Sequence, residues 1–203
     1  MKKIKAIVFD FGGVLFQNGS VVAAENLCRE KRYDKATILD AFESPKSREL
    51  RAGLITDDEF WEWAKCRFPA GYDTYDIRNA WHEGYILDND IFELVKKLRG
   101  RYKVFAFSGN EKSRVEYLDN KYDFRKYFDL EVYSFNFGLN KGDRKFVEAL
   151  IGEAGMKPAE MIYIDDEEKN LSIARAFGIN TILYRTGEIT ETEKRLKAFG
   201  IEF

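Results

Sequence analysis

The residues of this 203-residue chain that could do chemistry fall at four places, each at or beyond the end of a short apolar run. The first is Asp10, inside "IVFDFGGVLF" (residues 7–16), followed at once by Phe11, Gly12 and Gly13. The second is Ser108, which closes "YKVFAFS" and precedes Gly109 and Asn110. The third is Lys141, between Asn140 and Gly142, several residues beyond "LEVYSF". The fourth is the pair Asp165-Asp166 at the end of "MIYID". These are a carboxylate of the nucleophile type, a hydroxyl, an ammonium and a pair of acids. Each has an ordinary structural use as well. A strand-end carboxylate can bind a backbone amide, Ser108 and the aspartate pair can cap helices, and Lys141 is one of 33 basic residues. The order and placement of the four carry the argument.

The elements around them explain why they would meet. Residues 4–9, 102–108, 130–135, 161–165 and 180–184 are short, apolar and rich in β-branched and aromatic types, as buried strands are. Amphipathic stretches separate them from residue 88 onward, so strand and helix alternate. That pattern predicts an α/β fold: a Rossmann-like, doubly wound parallel sheet with helices on both faces. In such sheets ligands bind beyond the carboxyl ends of the strands, where all four sites lie. Residues 17–85 break the alternation. They hold helical spacings without a clear strand, including Thr56-Asp57-Asp58-Glu59, a capping sequence whose acids face the helix dipole. We therefore expect a core of residues 1–16 and 86–203 and an inserted all-helical cap of residues 17–85.

Composition narrows the class. The formal net charge is −2, without the basic excess of a nucleic-acid-binding protein. No stretch approaches the ~18 apolar residues of a membrane span. The basic start "MKKIKAIVFDF" has too short an apolar region, interrupted by an acid, for a signal peptide. Cys28 and Cys66 lack metal-ligand spacing and read as reduced, partly buried thiols of a cytoplasmic protein.

With these motifs in order, the chain resembles the haloacid dehalogenase superfamily. "VFDFGGVL" is similar to its first motif, "VFAFSGN" to the second, "GLNKGDRKF" to the third and "IYIDDEEKNL" to the fourth. The resemblance is closest to a subgroup with a helical cap after motif one and the pattern FDxGxV, which includes bacterial sugar-phosphate phosphatases. "LRAGLITDDEFW" is similar to a cap segment of that subgroup.

The resemblance implies a Mg²⁺-dependent phosphohydrolase acting on a small phosphorylated metabolite through an aspartyl-phosphate on Asp10. Phosphoryl transfer to a carboxylate needs an in-line nucleophile, neutralised phosphate charge and a proton for the leaving oxygen. Ser108 and the backbone amides of Phe11, Gly12 and Gly109 would hold phosphate, aided by the positive end of a helix starting near Asn110. Lys141 would neutralise charge. Asp10, the Gly12 carbonyl and Asp166 would ligate the metal, with Asp165 acting through water, in the oxygen shell that Mg²⁺ prefers.

Two positions depart from the family pattern. Gly142 stands where Pro is common, which affects only a turn. Gly12 stands where the usual phosphatase has the aspartate that protonates the leaving group, a contribution of roughly 10²–10⁴ in rate. Four readings stay open: a substrate with a good leaving group, another proton donor, a catalytically weak phosphate-binding protein, or a glycine required by packing. A metal-free 2-haloacid dehalogenase also lacks that acid, but the Asp165-Asp166 pair argues for metal. Glu43, Ser44, Arg48 and Arg51 are candidates to face substrate from the cap, though any one of them fits a solvated helix as well. His82 reads as structural, and Phe60, Trp61, Trp63 and Trp81 as cap core.

Overall fold

The computed structural model describes residues 3–203. Met1 and Lys2, part of the expected core span and of the basic start, lie outside the described residues. Five strands form one parallel sheet: β1 (Ala6–Phe9), β2 (Lys103–Ser108), β3 (Leu130–Tyr133), β4 (Met161–Asp165) and β5 (Asn180–Leu183). Their order is β3-β2-β1-β4-β5, with β1 central. Phe9 pairs with Ala106 on one side and Ile164 on the other. The last residues of β1, β2 and β4 therefore end side by side, and Asp10 leaves the sheet between Ser108 and Asp165.

The strands are apolar on both faces because both faces are covered. Ile7, Phe9, Val104, Ala106, Ile162 and Ile164 pack on one side. Helices α6 (Asn89–Leu98), α7 (Lys112–Tyr122) and α10 (Ile189–Ala198) supply that side with Leu94, Val95, Val115, Leu118 and Leu196. Ala6, Val8, Phe105, Phe107, Met161 and Tyr163 point the other way. There they meet Phe146, Val147 and Leu150 of α8 (Arg144–Ala154) and Leu171 and Ala174 of α9 (Glu168–Ala176). The expected doubly wound α/β fold is the observed one.

The strand expected over 130–135 stops at Tyr133, and Ser134–Asn136 form a 3-10 turn. The Ser134 hydroxyl accepts from the Asn110 N–H at 3.1 Å and donates to the Arg51 carbonyl. These bonds tie the strand end to the loop after β2 and, through Arg51, to the segment between β1 and β2, so the chain turns instead of extending the ladder.

That segment is helical: α1 (Gly19–Lys31), α2 (Lys35–Glu43), α3 (Pro45–Arg51), α4 (Asp57–Lys65) and α5 (Thr74–Glu83). Side chains cap its helices as the sequence suggests. Thr56 and Glu59 form a reciprocal capping box on α4, and Asn18, Asp34, Ser44 and Asp73 cap the others. Phe42 stacks on Trp81 with ring centroids 4.1 Å apart, and Phe60 and Trp61 close round them. Trp63 is only partly buried. α1 and α5 meet at two glycines. A Cβ at Gly84 would strike the Gly19 carbonyl, and one at Gly19 would fall within the Tyr85 ring.

The two cysteines correct the sequence reading: both are exposed. Ala23, Ala24 and Leu27 are the buried stripe of α1, and Cys28 lies one residue, about 100°, away from it. Cys66 follows the last buried residue of α4, Ala64. Among the described residues no helix is long and apolar enough to cross a membrane.

Candidate active site

Asp10 is nearly buried at the end of β1, and its N–H donates to the Ile164 carbonyl at 3.0 Å, one last bond in the register of the sheet. The chain then turns back: Val14 and Phe16 donate to the Phe11 carbonyl at 3.2 and 2.8 Å, and Gly13 donates to the Phe16 carbonyl at 2.7 Å. Phe11 anchors this loop by packing edge-on against Phe16, Phe124 and Tyr133. Gly13 is required twice over. Its φ is +81°, and a Cβ there would overlap the Asp166 carboxylate. Gly12 has no such need. A Cβ there would sit 3.5 Å from Tyr85 Cε1, an ordinary contact. The packing explanation for Gly12 is therefore not required by its backbone or by its first carbon.

Lys141 joins two of the acids. Its ammonium pairs with Asp10 Oδ2 and, at 2.7 Å, with Asp165 Oδ2. The lysine arrives on the loop between β3 and α8 and passes over Gly109, where a Cβ would lie 3.1 Å from Lys141 Cβ. Asp165 is fully buried and richly solvated by protein. Tyr163 O–H donates to Oδ2, and the Glu167 N–H and Asn170 Nδ2 donate to Oδ1 at 2.7 and 3.2 Å. Tyr163 lies two residues before Asp165 on β4, so both side chains leave the same face of the sheet.

The two carboxylates on Lys141 are consequently unlike. Burial works against the charged form of both. At Asp165 the Lys141 ammonium and the hydrogen bonds outweigh burial and hold the carboxyl below its usual range. At Asp10 burial wins: opposed by Lys141 but helped by Asp165 and Asp166, it pushes the carboxyl up to about 8. Burial also raises Asp166, to about 6, with Lys141 opposing and Asp165 adding. Burial disfavours the Lys141 charge, yet Asp10 and Asp165 keep its pKa above the ordinary lysine value.

Carboxylate oxygens of Asp10, Asp165 and Asp166 lie within 4.8 Å of one another. Lys141 pairs with only two of the three acids, Asp10 and Asp165, and the absence of a Cβ at Gly13 admits the Asp166 carboxylate. A cluster of hard oxygen donors with too little positive charge is a chemical fit for a divalent cation such as Mg²⁺.

With Asp165 buried behind them and paired with Lys141, Asp10, Lys141 and Asp166 form the floor of a cavity of about 750 Å³. Gly12, Ser108 and Gly109 line it, so every residue expected at the site is at or beside this floor except that the Phe11 side chain turns into the core. Arg48, Arg51 and Glu43, from the helical segment, also line the cavity. Ser44 does not: it accepts from the Ser47 N–H and donates to the Ala41 carbonyl, capping α3. The helix expected near Asn110 begins at Lys112. The Asn110 and Glu111 N–H groups are taken by Ser134 and by the Asn110 side chain.

Sequence reasoning missed Tyr163, Asn170, Tyr85 and Arg114. The first two had a signal, since both lie within or beside the motif around Asp165. Arg114 had none. It is fully buried, pairs with Glu111 at 2.8 Å, and stacks 4.0 and 4.6 Å from the Trp81 and Tyr85 rings. Glu111 also bonds His82 at 3.1 Å, in keeping with a structural histidine.

A Rossmann-like parallel sheet with clustered carboxylates and a buried ammonium at its carboxyl edge defines an α/β protein with an enzyme-like site. Residues 4–178 match the family described as haloacid dehalogenase-like hydrolase, and the chain belongs to that family. It is 37% identical over 216 residues to an uncharacterised protein of Dictyostelium discoideum, covering 92% of this chain and 94% of that one. It is 24% identical over 193 residues to a D-ribitol-5-phosphate phosphatase of Bacteroides thetaiotaomicron, covering 91% and 93%. A crystal structure of a HAD family enzyme from Bacteroides thetaiotaomicron, in complex with magnesium and inorganic phosphate, superposes with a TM-score of 0.78. That pair is 25% identical over 91% of this chain and 96% of the other.

Proposed function

We propose that this protein is a Mg²⁺-dependent phosphomonoesterase acting on a small phosphorylated metabolite, with Asp10 as nucleophile and residues 17–85 as the cap over the site. The observation that carries the reading is Asp10 itself. It is a buried carboxylate paired with Lys141, beside a second acid pair, on the floor of a cavity that also receives Ser108. In this reading an Asp10 oxygen attacks phosphorus. Ser108 and the backbone amides of Phe11, Gly12 and Gly109 hold phosphate oxygens, and Lys141 offsets the charge that Asp10 and phosphate bring together. Asp10, the Gly12 carbonyl and Asp166 would hold Mg²⁺, with Asp165 bonded to Lys141 behind them. When bound, the ion supplies charge stabilisation for the transferring phosphoryl group. Arg48, Arg51 and Glu43, which line the same cavity from the helical segment, suit a polar substrate body.

The relatives named above support the reaction class. The metal-free dehalogenase reading is disfavoured by the three-acid cluster. A phosphate-binding protein with little turnover is favoured by one observation, the missing side chain at position 12.

The test is phosphate release from a panel of phosphate esters with Mg²⁺ and with EDTA, beside Asp10→Asn. Metal-dependent release that the variant loses is the expected result. Halide release from 2-haloacids without metal, or saturable phosphate binding without turnover, would replace the phosphatase reading.

A further inference from the structure

The space beside Gly12 is not left to solvent. A Cβ built there would lie 3.5 Å from Tyr85 Cε1 and 4.0 Å from Tyr85 Oη. An aspartate's carboxylate extends about 2.4 Å past its Cβ by ordinary bond lengths, so one aimed this way would end against the phenol oxygen. Tyr85 follows α5, on the strap that returns the chain from the helical segment to the sheet. It is nearly buried, yet it lines the same cavity as Asp10 and Gly12.

The ring is held on two sides. Gly19 at the start of α1 has no side chain where the ring lies. The Arg114 guanidinium stacks 4.6 Å from the ring centroid and points Nη1 at Oη, 3.4 Å away. Arg114 is itself fixed by Glu111 and by Asn110 Oδ1, the latter at 3.0 Å. A guanidinium has donors only. The phenol oxygen therefore accepts from Arg114, and its own proton must point elsewhere.

We propose that the Tyr85 hydroxyl donates the proton to the leaving oxygen of the phosphate ester, in place of the acid that position 12 lacks. The proposal rests on the phosphatase reading and adds the group that reading left unassigned. In the first half-reaction an Asp10 oxygen bonds to phosphorus and the ester P–O bond breaks. The electron pair stays on the leaving oxygen, which takes the Tyr85 proton and departs as an alcohol. The phenolate left behind faces the Arg114 cation. In the second half-reaction water oxygen bonds to phosphorus and the bond to Asp10 breaks, its electrons returning to the carboxylate. A proton of that water returns to Tyr85.

A proton donor matters in proportion to the basicity of the leaving group. The experiment compares wild type and Tyr85→Phe, both with Mg²⁺, on a polyol or sugar phosphate and on p-nitrophenyl phosphate. Because the second half-reaction is common to both esters, the readout is kcat/KM, which reports only the steps through ester cleavage. The expected result is a fall of about 10²-fold or more on the alkyl ester, with kcat/KM for p-nitrophenyl phosphate within about threefold of wild type. Equal effects on both esters, or none on either, would overturn the role of Tyr85 while leaving the phosphatase standing. A wild type inactive on every ester would overturn the phosphatase and this role with it. The wild type carries a second test that needs no variant. Its rates across substituted phenyl phosphates are expected to depend weakly on leaving-group basicity, and a steep dependence would rule out a proton donor.

Discussion

Gly13 and Asp166 lie in direct apposition: the backbone at Gly13 occupies the surface against which the Asp166 carboxylate rests, with no room for a Cβ between them. The contact packs the loop after β1 against the end of β4, whose pairing with β1 already holds Asp10 beside the acid pair. Gly13→Ala combines this clash with an unfavourable φ of +81°. We expect it to cost about 1–3 kcal/mol in urea unfolding and to weaken Mg²⁺ binding more than tenfold, read by calorimetry.

Lys141 is the only cation in contact with Asp10 and Asp165 among the described residues. Lys141→Met would leave two buried carboxylates facing each other. The expected loss is about 3 kcal/mol of stability in EDTA, with phosphate release abolished. Stability unchanged in the variant would mean that the pairing is incidental.

The raised carboxyls predict a pH dependence with a definite sign. Without metal, folded Asp10 keeps its proton up to about 8, while the unfolded chain loses it near the ordinary aspartate value of 3.8. Its contribution to stability is complete below that lower value and is lost as pH rises toward 8. The melting temperature in EDTA is expected to fall over this window more steeply in wild type than in Asp10→Asn. At the proposed site Mg²⁺ would have to displace the protons of Asp10 and of Asp166, whose carboxyl burial pushes up to about 6. Its affinity should therefore rise between pH 6 and 8, with proton release visible by calorimetry in buffers of different ionisation enthalpy.

Glu111 behaves in the opposite sense. Burial raises its carboxyl, but Arg114, His82 and Arg51 outweigh burial and hold it below the ordinary glutamate value. Its contribution is present above that value and lost as pH falls through the folded one. Glu111→Gln is expected to destabilise the protein by about 3 kcal/mol at pH 7, with the gap to wild type closing in acid. A gap of constant size from neutral to acid pH would rule out the charge pairing as its source.

The sheet and its carboxyl edge were legible because local signals agree. The run "AIVF" is apolar throughout, and "VFAFS" and "MIYID" lack polar alternation until their last residues, as expected of a sheet covered on both faces. The glycines and acids that follow them mark where each strand ends. Asp10, Ser108, Lys141 and the Asp165-Asp166 pair could be found from residue type and order alone. The helical spacing of this stretch was legible too, but the exposure of Cys28 was misjudged, since which face of α1 is buried, that of Ala23, Ala24 and Leu27, depends on what it packs against.

Tertiary structure decided what no local pattern encodes. That Lys141 meets both Asp10 and Asp165 is decided by the sheet, which brings the ends of β1 and β4 and the loop between β3 and α8 to one place. The neighbour of Gly12 is Tyr85, 73 positions along the chain, and it arrives only because α1 and α5 close on each other at Gly19 and Gly84. Backbone preferences act over a few residues and so can be read in order along the chain. The charge and reactivity of a buried group follow from everything within a few ångströms, and that neighbourhood exists only after the chain has folded.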